Sequence, residues 1–163
     1  MWCTLSLLGG REEETRKRER GKLGVRRIVE RLYIRDYYLI DFTYTRLYEH
    51  FNGVKYVLDY FINRFKPDRI YTNSLNDVHQ NHYVVAYATL VAGRRVRQVL
   101  HYWSTTTNNI FHPIYFIGII GVVERKLELL GFFAFQVNRD YLKKAGCREC
   151  KHVLWLSSGG RVC

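Results

Sequence analysis

Asp77, His79 and His82 fall within six consecutive positions, Asp77-Val78-His79-Gln80-Asn81-His82, and are the residues of this chain best suited to chemistry. Imidazoles three residues apart share a helix face, so one can sit on a metal ion while the other faces a substrate. A carboxylate two residues before the first histidine is close enough to orient an imidazole or raise its basicity. An H-x-x-H spacing alone is what any helix surface can produce. Its setting adds to it. The pair follows Lys66-Pro67-Asp68-Arg69-Ile70-Tyr71-Thr72-Asn73-Ser74, which reads as a helix stop, a short buried strand and a polar loop. Open α/β sheets place ligands at the loops that leave the carboxyl ends of parallel strands.

The elements that must carry this loop show in the apolar spacing. Leu47, Phe51, Val54, Leu58, Phe61, Ile62 and Phe65 recur every three or four residues and build one face of a helix. Pro67 closes that helix, because the residue before a proline is pushed out of the α region. Arg69–Thr72 reads as a strand and Asn73–Gln80 as a loop. A helix over 81–95 then buries Val84, Val85, Ala88 and Val91. Val99–Trp103 is a further strand, Ser104–Asn109 a long loop, Ile114–Ile117 a strand, and 122–144 a helix carrying Leu127, Leu130, Phe133 and Val137.

Nearer the start, Thr4–Leu8 reads as a strand ended by Gly9-Gly10. Arg11–Leu23 reads as an exposed helix with the i,i+4 pairs Glu12–Arg16, Glu13–Lys17 and Glu14–Arg18, capped by Gly24. Arg31–Ile34 is expected as a strand and Asp36–Asp41 as its loop. Strands alternating with helices predict an α/β, Rossmann-like three-layer fold with a mostly parallel sheet over residues 1–145. Residues 146–163 show no strong period and read as a Cys-containing tail.

Composition bounds the rest. The 163 residues suit one domain with a real core, and 47% hydrophobic with 15% aromatic residues argue for a folded chain. A net charge of +11 favours anionic partners, but no helix-turn-helix, RNP or zinc-finger pattern accompanies it, so nucleic acid is not an expected partner. Cys147-x-x-Cys150 with His152 and Cys163 lacks the spacing of a four-ligand zinc site and reads as reduced thiols. The most apolar window, Ile110–Val123, contains His112 and Pro113 and is shorter than the roughly 20 residues that cross a bilayer. No targeting segment is apparent, and a soluble cytoplasmic protein with no membrane span is expected.

Lys66-Pro67-Asp68, Tyr71-Thr72 and Asn76-Asp77-x-His79-x-x-His82 resemble, in order and spacing, the second signature of the PIG-L/LmbE-like zinc deacetylases, typically K-P-D-x-V-Y-T-H-x-x-x-D-x-H-P-D-H. Arg16-x-x-Glu19 with Leu23-Gly24 resembles the family's R-x-x-E…L-G helix, with Arg11-x-x-Glu14 an equal candidate, and Glu124-Arg125-Lys126-Leu127-Glu128 resembles its E-K-K-I-E helix. The resemblance spans residues 4 to 142 and is strongest from 66 to 95. It implies a metal-dependent de-N-acetylase acting on an N-acetylated sugar or related amide, with zinc activating water. Carried over, His82 is the late zinc ligand, His79 stabilises the oxyanion or protonates the leaving amine, Asp77 orients an imidazole and Arg16 binds substrate.

The family's first signature, H-P-D-D-E, which supplies two zinc ligands and the general base, does not occur in the 163 residues. Asn81 stands where the family has an aspartate, and Phe116-Ile117-Gly118-Ile119 lacks the carboxylate of its F-V-D-I strand. The expectation is therefore a chain without the first βα unit, with weak or absent zinc binding, inactive alone, and prone to homo-oligomerise through the sheet edge left open. The alternative is a non-catalytic α/β module that binds an anionic or sugar-like ligand.

Overall fold

The fold is that of a computed structural model, which describes residues 2–4, 12–42, 44–136 and 153–158. It divides into two compact units: residues 1–46 with 119–152, and residues 47–118 with 153–163.

The second unit holds the histidine loop. Its first helix, α2 (Phe51–Phe65), follows a 3-10 segment over Tyr44–His50. The apolar spacing works as expected: Leu47 and Val54 are fully buried and Phe61 nearly so. Removing each such side chain from water contributes about 1.5–3 kcal/mol. Lys66 ends the helix in the left-handed region (φ 44°), its N–H bonded to the Ile62 carbonyl at 2.8 Å, and Pro67 forbids continuation. Strand β3 (Arg69–Thr72), helix α3 (Gln80–Ala92) and strand β4 (Gln98–Tyr102) then form a βαβ unit, with β3 and β4 parallel and Thr72 opposite His101. The inner face of α3 is small: Ala86, Ala88, Ala92 and the following Gly93 are buried, and a Cβ on Gly93 would lie 3.3 Å from Val99. Strand β5 (Tyr115–Gly118) completes the elements expected here.

The α/β class read from the sequence is the class observed, with parallel pairing at β3–β4. The tail is where the reading needs correcting. Val153–Ser158 forms strand β6, which lies between β4 and β5 and runs antiparallel to both, giving the order β3-β4-β6-β5. Val153-Leu154-Trp155-Leu156 is a short β-branched and aromatic run of the kind strands use. Its partner β4 lies some fifty residues earlier in the chain, so no local pattern announced the pairing.

In the first unit, β1 (Trp2–Thr4) pairs in parallel with β2 (Tyr37–Leu39), and α1 (Glu12–Arg31) is followed later in the chain by α4 (Val123–Leu130) and a 3-10 segment over Gly131–Gln136. Several expectations change: Tyr37–Leu39, inside the expected loop Asp36–Asp41, is strand β2, and the helix expected over 122–144 gives way to the 3-10 segment after Leu130. Gly24 does not cap α1; the helix runs through it to Arg31, and the expected strand at Arg31–Ile34 is its C-terminal turn. Tyr33 takes the left-handed conformation (φ 54°) instead, donating to the Glu30 carbonyl, while the Ile34 N–H reaches the Val29 carbonyl. This bond pair is a Schellman termination. Gly24 has a packing reason to be glycine, since a Cβ there would lie 2.9 Å from the Phe133 ring. Arg31 pairs with Glu128 of α4 at 2.7 Å. Of the strand expected over Thr4–Leu8 only Thr4 is described, as the last residue of β1; residues 5–8, the helix beyond Gln136 and the cysteines at 147, 150 and 163 lie outside the described residues. Among the described residues, no helix is long and apolar enough to cross a membrane.

Candidate functional site

At the carboxyl end of β3 the chain makes a turn held by its own side chains. The Ser74 hydroxyl accepts the Asn76 N–H at 3.0 Å and the Ser74 carbonyl accepts the Asp77 N–H at 3.2 Å. Asp77 Oδ1 then accepts the His79 N–H at 2.9 Å, the local bond by which an aspartate shapes a turn. His79 is left at the N-cap of α3 in extended conformation. One helical turn on, His82 brings its ring back to the same carboxylate, with Nδ1 2.8 Å from Asp77 Oδ2. The rings of His79 and His82 stack with centroids 4.4 Å apart. The sequence thus placed both histidines and the aspartate correctly at the end of this strand.

The parallel neighbour β4 delivers a second loop to the same end of the sheet. Val78 N–H donates to the Thr106 carbonyl and Asn108 N–H to the Asn76 carbonyl, each at 2.9 Å, with an antiparallel bridge between Asp77 and Thr107. Ser104 Oγ donates to Asp77 Oδ2 at 2.6 Å, and Thr106 Oγ1 lies 3.4 Å from His82 Nδ1. The Asp77 side chain is wholly buried and that of His82 is 37% exposed. Burial alone would raise the Asp77 carboxyl, but hydrogen bonds from Ser104, Thr106, the His79 N–H and His82 outweigh it and hold the group below its ordinary value. An ionised carboxylate only accepts, so the imidazole must carry its proton on Nδ1, which leaves the Nε2 lone pair for a ligand or a proton.

Next to the dyad sit two groups held neutral. Burial, with a smaller contribution from the Asp77 charge, pushes the Tyr102 hydroxyl up to about 12. Burial lowers His101, partly offset by its contact with the Asn73 carbonyl. That contact fixes the proton on Nδ1 and leaves a buried Nε2 with no hydrogen-bond partner among the described residues. Ser104, Thr106 and His101 were not singled out from the sequence. The available signal was the polar run Ser104-Thr105-Thr106-Thr107 directly after a strand, the same pattern that drew attention to residues 73–77.

Arg16, expected to bind substrate, lies exposed on α1 of the first unit. Asn81 is almost fully buried. An imidazole whose far nitrogen is held by a carboxylate is the usual form of a zinc-binding histidine, so His82 fits one ligand position. A catalytic zinc site takes three protein ligands, and among the described residues no three His, Cys, Asp or Glu side chains come together to hold a metal ion. The described residues alone do not make a complete zinc site.

No protein-family model and no curated protein matches the sequence. Solved structures do match it in fold. The conserved protein TT1542 from Thermus thermophilus superposes with a TM-score of 0.68 at 14% identity, over 99% of this chain and 82% of its own. GalB, the 4-carboxy-2-hydroxymuconate hydratase from Pseudomonas putida, gives 0.66 at 13% identity, over 99% of this chain and 85% of its own. At such identities the likeness shows the α/β fold.

Proposed function

We propose that this chain is a PIG-L/LmbE-like protein carrying the histidine half of a zinc-dependent de-N-acetylase site, with an N-acetylated sugar or related amide as its substrate class. The observation that carries the reading is the Asp77–His82 hydrogen bond of 2.8 Å beside a stacked His79, at the carboxyl end of a parallel strand and inside a segment with the family's spacing. In this reading Asp77 fixes the His82 tautomer and turns Nε2 outward as a zinc ligand. His79, at the helix N-cap, faces the substrate and either donates to the carbonyl oxygen as negative charge develops there or protonates the leaving nitrogen. Zinc, when bound, lowers the pKa of a water towards roughly 7. A fold neighbour that is a hydratase is consistent with a fold that hosts reactions with water.

Because one imidazole does not hold zinc tightly against water, purified chain is expected to bind no stoichiometric zinc and to leave N-acetylglucosamine derivatives intact. Fusing a βα segment with H-P-D-D-E ahead of Trp2 should create one zinc site per chain, measured by metal analysis after dialysis, and His82→Ala should abolish it. A fusion that binds no zinc, or whose zinc survives loss of His82, refutes the reading.

A further inference from the structure

The four-stranded sheet ends in β3 on one side and β5 on the other, and β6 is the one strand neighbour of β5 among the described residues. Each end strand is four residues long and starts two residues after a proline, at Arg69 and at Tyr115. They differ in what they show to solvent. Edge β3 is led by Asp68-Arg69, charges of the kind that discourage a further strand. Its Ile70 is half-buried and Thr72 buried, so one of its faces is covered. Edge β5 is led by Ile114, has no Asp, Glu, Lys or Arg from Ile110 to Val123, and is exposed at all four positions. Successive strand side chains point to opposite faces. Tyr115 and Ile117 therefore lie on one face, 45% and 43% exposed, and Phe116 on the other, 64% exposed. One helix laid on the sheet cannot cover both faces. A further strand can, because it carries its own side chains above and below.

We propose that this strand comes from a second copy of the chain, with β5 paired antiparallel to β5 about a two-fold axis perpendicular to the sheet. Such an axis keeps each face of the sheet on its own side, so the apolar residues of each face meet those of the same face in the copy. No like charges are opposed along the strand. The area fits as well. Taking about 200 Å² for an aromatic side chain and about 100 Å² for isoleucine, residues Ile114 to Ile117 expose about 300 Å² of apolar surface. A standard interface takes about 800 Å² from each partner, a little over half of it apolar. The strand supplies well over half of that apolar share, which suits a weak, reversible dimer. A net charge of +11 opposes it, since two copies repel. Salt screens that repulsion and should tighten the dimer, the reverse of its effect on binding to a polyanion. Neither the histidine loop nor the deacetylase reading enters this pairing.

Sedimentation equilibrium of the full chain tests this. Wild type should show a monomer–dimer equilibrium with Kd of about 1–100 µM, the weak end of specific association, and several-fold tighter at high salt than at low. Ile117→Lys and Ile117→Glu, each confirmed as folded by circular dichroism, should weaken it by about tenfold or more, because a charge is how natural edges are closed. Mixing the two variants at low salt should recover most of the lost association, since opposite charges then face each other across the axis. Tyr71→Lys, the matching change on edge β3, should leave the Kd unchanged. Should both Ile117 variants unfold, wild-type hydrogen exchange decides: the outward amides of Tyr115–Gly118 should slow several-fold as protein concentration rises. A wild type that stays monomeric at about 200 µM in high salt, above the expected Kd range, overturns the proposal, and its open edge then belongs to a different partner. It is equally overturned by assemblies that grow beyond a dimer, by association that survives both folded Ile117 variants or is lost in Tyr71→Lys, by a variant mixture that does not recover, or by exchange that does not change with concentration.

Discussion

Asp77→Asn tests whether the buried carboxylate is the hub of this loop pair. The substitution keeps the shape and one oxygen, so the turn bond from the His79 N–H can persist. The other oxygen becomes an NH2 facing the Ser104 hydroxyl at 2.6 Å and His82 Nδ1 at 2.8 Å, both of which donate to it now. Each can adapt, Ser104 by turning its hydroxyl and His82 by changing tautomer, but each then makes a neutral bond in place of a charge-assisted one. Bonds to charged groups contribute about 1.5–3 kcal/mol and neutral ones about 0.5–1.5, so two such exchanges cost about 2 kcal/mol. For a chain of this length that corresponds to a fall of about 4–8 °C in Tm. Urea denaturation at pH 7 should show the loss in midpoint with an unchanged slope. The deficit should also depend on pH with a fixed sign. Asp77 titrates below its ordinary value in the folded chain, so its contribution is present above about pH 4 and disappears as pH falls through the depressed folded value. The two proteins should therefore converge in acid. A variant within about 0.5 kcal/mol of wild type at pH 7, the range of an ordinary surface substitution, would refute the hub.

Three further outcomes follow from the packing and charge. His101 is held below its ordinary 6.5 by burial, so the unfolded chain takes up the proton first; stability should be full above about pH 6.5 and fall as pH drops below it, and a urea-derived slope between pH 7.5 and 5 that is the same in His101→Gln would refute this. Gly24→Ala should destabilise by about 1–3 kcal/mol in thermal melts despite alanine's helix propensity, because its Cβ meets the Phe133 ring at 2.9 Å and the Phe132 carbonyl at 3.2 Å; Phe133→Leu in the same chain should recover part of the loss. Lys66→Gly should stabilise by about 0.5 kcal/mol by urea denaturation, since relief of left-handed strain at φ 44° exceeds the entropy glycine adds to the unfolded chain.

What the sequence made legible was what repeats locally. The apolar spacing from Leu47 to Phe65, the proline stop and the strand at Arg69–Thr72 all stand where their periods put them. Helix ends were harder. Glycine is the usual residue at a left-handed C-terminal position, yet both such positions observed here are taken by Tyr33 and Lys66, neither of which signals it. Lys66 was found only because Pro67 follows it. Gly24, read as a stop, is instead a close-packing position inside α1, a property of Phe132 and Phe133 more than a hundred residues away.

The site divides along the same line. His79 and His82 could be paired on paper because a helix spaces them, and Asp77 because an aspartate two residues ahead of an N–H makes a local turn. Ser104, Thr106 and His101 join them only through the parallel register that sets Thr72 opposite His101. A slip of one residue would turn the β4 side chains to the opposite face of the sheet and carry the following loop about 3.3 Å along the strand. That distance exceeds the 2.6 Å bond between Ser104 and Asp77, so the carboxylate would lose its shortest donor while the histidine pair stayed intact. The motif therefore encodes the imidazoles and the carboxylate that orients His82, whereas the sheet supplies that carboxylate's second donor. A sequence with the same Asp77-x-His79-x-x-His82 spacing but a residue without a hydroxyl at the Ser104 position would share the motif without the 2.6 Å bond to its carboxylate.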